Sequence, residues 1–264
     1  MVNYLIPFFV SILFLSCSPN HLHDESRIVN AITNKRTITL DGPQLVCASI
    51  SDEEFRQRMG EDKPANISAA VFNVKGFCPG DKYSLYAVRL NDSATYYGDF
   101  VVNKKCELVN VENSSMCLSD KVVMHLDFMR GEEMRYVLIG KNNEFDIVTN
   151  VIPFPIQTSW EDGANVSISA LDGDMSLFSL EGVGFNVNEE VHMTSNSCGE
   201  ILSGVLKASS KGIITTILLP GVEGTKGGSC KIKLGRKITG EERSLEFLHG
   251  DKARLKTSER RATK

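Results

Sequence analysis

A diverged internal repeat constrains this chain more than any other feature. Gly76-Phe77-Cys78-Pro79-Gly80-Asp81-Lys82-Tyr83 recurs as Gly184-Phe185-Asn186-Val187-Asn188-Glu189-Glu190-Val191. Each copy follows an apolar run, Ala69 to Val74 and Met175 to Leu180, and precedes a segment that alternates apolar and polar residues. Further on, Gly98-Asp99-Phe100-Val101-Val102 matches Gly204-Val205-Leu206. Tyr136-Val137-Leu138-Ile139-Gly140-Lys141 then matches Lys231-Ile232-Lys233-Leu234-Gly235-Arg236, and a last apolar run closes each copy, Phe145 to Ile152 and Leu245 to Leu248. The offset is roughly a hundred residues, the size of one immunoglobulin-like sandwich. Two units of the same design are therefore expected.

The local pattern agrees with sheets. Short runs alternate with period two, so each strand can turn one face inward. Pro79-Gly80, Asp162-Gly163, Asp172-Gly173 and Gly227-Gly228 supply turn chemistry between them. One segment reads as helix, Asp52 to Met59, where Phe55 and Met59 share a face at i, i+4. The fold class is all-β: two tandem antiparallel β-sandwiches after a signal peptide. The G-F-x-P-G-[DE] turn and the alternation after it resemble the early strands of bacterial Ig-like modules of surface and periplasmic proteins. That resemblance spans most of residues 40–250 and implies Ig-like topology; the second copy lacks the Pro and the second Gly.

The N-terminus points to export. Leu5 to Leu15 carries no charge, and eleven helical residues rise only about 16 Å, half of a ~30 Å hydrocarbon core. Such a run suits a cleavable signal and not a span. Phe14-Leu15-Ser16-Cys17 resembles the bacterial lipobox, in which the cysteine receives diacylglycerol and becomes the first mature residue. The resemblance implies lipidation of Cys17 and a membrane anchor. Phe14 stands where that family usually has Leu, and Met1 to Tyr4 hold no Lys or Arg. Plain signal cleavage around Ser16 and Ser18 is the alternative, with Pro19 against it. The expected divisions are signal peptide 1–16, polar tether 17–38, first sandwich 39–152, second sandwich 153–250 and basic disordered tail 251–264. Pro153-Phe154-Pro155 makes the joint stiff, since each Pro fixes its own φ and restricts the residue before it.

Of seven cysteines, six remain once Cys17 is set aside, an even number suited to disulfides in an oxidising compartment. Cys198 and Cys230 can pair only with each other if bridges stay within one unit. In the first unit four cysteines allow three connectivities, of which Cys106 with Cys117 and Cys47 with Cys78 are preferred. The bland alternative is that some are simply small buried hydrophobes.

Catalytic chemistry finds no foothold. There is no G-x-S-x-G, S-x-x-K, H-E-x-x-H or G-x-x-x-x-G-K pattern. His21 and His23 sit in the tether without obvious co-ligands, and His125 and His192 fall in strand-like segments as surface or partly buried residues. Asp172-Gly173-Asp174 and Glu161-Asp162 read as turns before calcium ligands, because no spaced array of oxygens accompanies them. Glu132-Glu133, Glu189-Glu190 and Glu241-Glu242 read as solvated loop charges. No catalytic residue, metal or cofactor is expected.

Charge adds one point. Residues 251–264 hold six basic and two acidic residues, net +4, against −8 for the rest of a −4 chain. Such a tail can touch anionic surfaces, while an acidic body gives no support for nucleic-acid binding. The expected function is a lipid-anchored envelope or surface binding or adhesion module with an unknown protein or glycan partner, its patch including Tyr96, Tyr97 or Trp160. One alternative is a periplasmic structural or envelope-assembly lipoprotein. The other is a secreted glycosylated protein, in which Asn66, Asn91, Asn113 and Asn165 open N-x-S triplets, patterns that arise readily by chance in an Asn- and Ser-rich chain.

Overall fold

The alternation of Lys231 to Arg236 becomes the in–out alternation of an antiparallel strand. Ile232, Leu234 and Arg236 turn inward and are buried, while Lys231, Lys233 and Gly235 face out. The same reading holds along most of the chain. The computed structural model describes residues 21–34, 42–90, 92–142 and 145–254, with side chains between 21 and 34 only for 25–33. Within these the protein is all-β, two tandem Ig-like antiparallel sandwiches.

The first sandwich packs a three-stranded sheet on a five-stranded one. The smaller has the order β1 (Gln44–Ser49), β2 (Ser68–Lys75), β6 (Val122–His125). The larger has the order β5 (Leu108–Asn110), β4 (Thr95–Val102), β3 (Lys82–Arg89), β7 (Met134–Gly140), β8 (Asp146–Val151). Its core joins Phe72, Tyr83, Phe100, Tyr136 and Leu138 from both sheets. The second sandwich pairs two four-stranded sheets. One runs β14 (Ile214–Leu218), β11 (Phe178–Val183), β10 (Asn165–Ala170), β9 (Ile156–Ser159). The other runs β13 (Glu200–Lys207), β12 (Glu190–Ser197), β15 (Gly227–Arg236), β16 (Glu242–His249). Its core gathers Val166, Ile168, Phe178, Leu180, Ile232, Leu234 and Phe247.

The repeat seen in the sequence is a repeat of topology. β1-β2-β6 corresponds to β10-β11-β14, and β4-β3-β7-β8 corresponds to β13-β12-β15-β16. Two strands lie outside the correspondence. β9 extends one sheet of the second unit, and β5 covers the free side of β4 in the first. Nothing covers the equivalent side of β13 among the described residues.

Two helices cover the outside of the first sandwich. α2 (Asp52–Met59) starts at Ser51, whose hydroxyl accepts from the Glu54 N–H at 3.1 Å, and stops at Gly60 with φ +76°. Phe55 from α2 is buried against Ile50, Ala69 and Val71. That is why β2 reads as a continuous apolar run instead of an alternating one: both its faces are covered. Met59, on the same helical face as Phe55, stays exposed.

The other helix corrects the expectation of a polar tether. Residues His21–Asn34 form α1, and Ile28 and Ala31 are buried on the outer face of the larger sheet against Tyr86, Val137 and Ile139. Arg27 anchors it through Asp146 (2.5 and 3.2 Å) and the Gly140 carbonyl (2.8 Å). The spacing of Ile28, Ala31 and Ile32 is a helical i, i+3, i+4 stripe inside an otherwise polar segment. The C-terminal tail is likewise ordered at its start. Residues 250–254 form a turn of helix, Ala253 joins the second core, and Arg254 meets Asp174 at 3.1 Å. Residues 255–264, the signal segment 1–16, Cys17 and the side chains of His21 and His23 lie outside the described residues.

The joint between the sandwiches is braced from the first one. Gly131 donates to the Phe154 carbonyl (2.8 Å) and accepts from the Ala170 N–H (2.9 Å). Its φ is +81°, and a Cβ there would lie 2.8 Å from Ile156 Cδ1, so the close approach requires glycine. Met129 packs against the second core, and Arg130 Nη1 reaches the Glu246 carbonyl at 3.4 Å.

Candidate functional site

Three groups of residues were candidates: the cysteines, the acidic and histidine clusters, and an exposed apolar patch. All six described cysteines are unbonded thiols. Cys47 faces the first core, and burial pushes its thiol up to about 12. Cys78 stands exposed in the loop beyond Lys75, whose partner Gln44 lies three residues, ~10 Å along the strand, from Cys47. The structure does not bring those two together. Cys117 sits opposite Val109, not Cys106, and its Sγ lies 3.2 Å from Ser119 Oγ. Cys198 and Cys230 are close neighbours. Ser197 is the direct cross-strand partner of Cys230, and Cys198 is the next residue, in the β12–β13 turn. Burial raises the Cys230 thiol, a 3.6 Å contact with Ser195 lowers it, and the nearby Cys198 raises it again.

Several charges expected in solvent are buried. Glu189 and Arg236 form a paired core charge: Arg236 Nε and Nη2 donate to the two Glu189 oxygens at 2.7 and 3.0 Å, and both side chains are fully shielded. Arg236 Nη1 donates to both oxygens of Asp162, and its guanidinium lies 5.5 and 5.1 Å from the Trp160 and Phe185 ring centres. Hydrogen bonding from Arg236 holds the Glu189 and Asp162 carboxyls below their usual range, and Glu189 raises Arg236 in return. Glu132 is also buried, taking 2.8 Å bonds from Arg89 Nε and Nη2 and one of 2.9 Å from the Met129 N–H. Isolated in sequence, these residues look like loop charges; their partners lie 47 and 43 positions away. His125 is buried too, its Nε2 2.9 Å from the Tyr136 hydroxyl, and burial pushes it down to about 4. It is a neutral core residue.

Asp172 caps its own turn, accepting from the Ser176 N–H (2.8 Å), the Leu177 N–H (3.3 Å) and the Ser176 hydroxyl. Among the described residues no group of three or more His, Cys, Asp and Glu side chains is placed to hold a metal ion. None of the described helices is long and apolar enough to cross a membrane.

The apolar patch lies elsewhere than the aromatic residues suggested. Trp160 is buried, Tyr97 is half-buried on the first core, and only Tyr96 is exposed. Large exposed apolar side chains such as Val46, Phe145, Val187 and Ile238 are spread over the molecule, and one group of them lies on the end strands of the second sandwich. Ile201, Leu202 and Val205 on β13, Ile217 on β14 and Leu219 just after it are 53–72% exposed. β13 and β14 touch along this side, each the end strand of its sheet.

The hydrogen-bond phase of β13 is set by its partner. The Ala208 N–H donates to the Glu189 carbonyl at 2.9 Å, which fixes which antiparallel pairs are bonded. Leu206, Gly204, Leu202 and Glu200 therefore bond to β12. The N–H and C=O groups of Ile201, Ser203, Val205 and Lys207 point away from the sheet. Edge strands are commonly guarded by proline, bulges or inward charges. β13 has no proline and no break in its register with β12.

No protein-family model matches the chain, and no curated protein matches it. Among solved structures it is similar to a tetra-tandem repeat in the extending region of a large adhesion protein (12% identity, TM-score 0.26, 79% of this chain and 49% of that one). It is also similar to the FN1–FN3 domains of chicken CNTN1 (10%, 0.24, 79% and 68%). A third is a Ca2+-stabilized, ice-binding adhesin of an Antarctic bacterium (12%, 0.22, 78% and 48%). The chain thus spans about half the length of the two adhesin structures.

What this edge can do follows from its chemistry. It offers backbone donors and acceptors in strand spacing, flanked by aliphatic side chains, and so suits contact with an extended segment.

Proposed function

We propose that this chain is an exported, lipid-anchored binding module of a bacterial envelope or surface, without catalytic activity, which makes contact through the bare side of its second sandwich. The exposed aliphatic row on the uncovered strand β13 carries this reading. Ile201 and Val205 share its outer face and Leu202 lies on its inner one, and neighbouring exposed apolar side chains of this kind mark contact surfaces.

Attachment through Cys17 fits the position of α1. Only Ser18, Pro19 and Asn20 separate that cysteine from the helix, a reach of ~13 Å when extended. Since α1 is docked on the first sandwich, a lipid on Cys17 holds that sandwich close to the bilayer and leaves the second one to make contacts. The basic residues of 251–264 favour anionic lipid or lipopolysaccharide. In an oxidising compartment Cys198 and Cys230 would join as a disulfide between the β12–β13 turn and β15, tying down the strand that bears the patch.

The test has two arms. Intact mass of the mature protein from its native host, with and without reduction, should give an acylated Cys17 at the N-terminus and a bridge lost on reduction. Binding to envelope fractions should fall at least tenfold in Ile201→Lys/Val205→Lys. A mature start at another residue without lipid removes the anchor; undiminished binding by the double variant removes the edge as contact surface.

A further inference from the structure

We propose that the partner of the β13 edge is the same edge of a second copy of this chain, paired antiparallel about a two-fold axis at Ser203. This rests on reading that edge as the contact surface, and it names the occupant.

The hydrogen-bond phase restricts the choice. Only Ile201, Ser203, Val205 and Lys207 present free backbone groups, so they must face one another in the pair. Every residue-centred two-fold register meets this condition, and those centred on Ser203 and on Gly204 keep the most of the strand paired. The Ser203 register sets Ile201 opposite Val205 of the second copy, twice, on the outer face. Both are β-branched and more than half exposed, the kind of cross-strand pair that stabilises sheets. On the inner face Leu202 falls opposite Gly204 of the second copy. Nothing lies within 4 Å of the place a Gly204 Cβ would take, so each exposed Leu202 has room to seat over a glycine. The Gly204 register instead sets the two glycines against each other and leaves Ile201 facing Lys207.

Charge bears on the direction. In the Ser203 register Glu200 of one copy faces Leu206 of the other and Lys207 falls opposite Gly199, so no like charges meet. A parallel in-register pair would juxtapose like charges. The two-fold arrangement also closes on itself and makes a dimer, where a heterologous edge contact would propagate.

The first sandwich holds an internal precedent. β4 occupies the place of β13 there, and β5 pairs antiparallel along its outer side, Phe100 with Asn110 and Val102 with Leu108. This fold therefore accepts an added strand at this edge, and only the second unit lacks one from its own described residues. A single strand pair buries less than the ~1,200 Å² of a standard interface. The pairing is accordingly weak in solution and suited to molecules concentrated on a membrane by an anchor.

Cross-linking of the full chain in host membranes tests this. Ser203→Cys places two thiols across the proposed axis, within the span a disulfide can bridge. Copper–phenanthroline oxidation should give a covalent dimer at least ten times more abundant than for Ile217→Cys, an exposed position on β14, with the unsubstituted chain as background. Adding Val205→Lys should abolish it while the melting temperature stays unchanged. No dimer from Ser203→Cys, or equal dimer from Ile217→Cys, overturns the proposal. If self-pairing fails while Ile201→Lys/Val205→Lys still loses envelope binding, the edge serves a foreign strand. If envelope binding is also unaffected, the contact-surface reading itself falls.

Discussion

Replacing Arg236 with leucine is the sharpest probe of the second sandwich. The substitution removes two charge-assisted bonds to Glu189, at 2.7 and 3.0 Å, and leaves that carboxylate with only the Asn186 N–H (2.9 Å) and side-chain amide (3.2 Å). Glu189 is fully shielded, so it cannot recover hydration without opening the loop. Breaking a buried pair from one side costs about 3–5 kcal/mol, and loss of the guanidinium's contacts with the Trp160 and Phe185 rings adds to that. Asp162 is 46% exposed and rehydrates, so its share is small. Trp160 is the only tryptophan and lies against Arg236, so its fluorescence follows this sandwich during urea unfolding. With a slope of about 2 kcal/mol per molar urea, the midpoint should fall by roughly 1.5–2.5 M. Arg236→Leu/Glu189→Gln should recover at least half of the loss, because no unpaired charge remains buried. The acid limb is part of the same prediction. A carboxyl held below its usual value stabilises fully above about pH 4.3 and loses that contribution as pH falls through its native value, so Arg236→Leu should flatten this limb. A loss under about 1 kcal/mol, or a double variant no better than the single one, would refute the pair as a stabilising unit.

His125 should give the first sandwich a different pH dependence. Its native value near 4 lies below the ordinary 6.5, so the unfolded chain protonates first and stability declines between those values by up to about 3 kcal/mol. Circular dichroism melts at pH 7 and 4.5 should separate for the native chain and converge for His125→Gln; parallel behaviour of the two proteins would reject it. Gly212 has φ +69°, and a Cβ there would meet the Phe185 carbonyl oxygen at 2.2 Å. Gly212→Ala should therefore destabilise the second sandwich by about 3 kcal/mol or more, measured by Trp160 fluorescence, while an unchanged midpoint would mean the turn can rearrange.

The repeat, the strands and α2 were all legible, because period-two alternation and turn residues act locally. α1 was legible in part: its apolar stripe is present, but a stripe of three in a polar segment does not say whether a surface awaits it. The paired charges were not legible. Glu189 matches Asp81 in the repeat, but Arg236 lies opposite Val191 where the first unit has Gly140 opposite Tyr83, so the repeat gave no sign of the pair. Trp160 misled for the related reason that aromatic residues fit both patches and cores, and here Phe185 and Arg236 enclose it.

The candidate edge shows the same division. Glu-Ile-Leu-Ser-Gly-Val-Leu-Lys reads as a strand by composition, and its place in the repeat assigns it to the position of β4. Whether its outer side is bare depends on which other strands the chain lays beside it. In the first unit β5 fills that place, and in the second β14 joins the opposite sheet with no counterpart to β5 between. By itself the sequence determined two sandwiches, their internal order and the residues facing inward, since alternation and turn chemistry are properties of neighbouring residues. Only the tertiary structure decided which charges are buried in pairs, which cysteines meet and which edge stays open, because each depends on contacts between segments tens of residues apart.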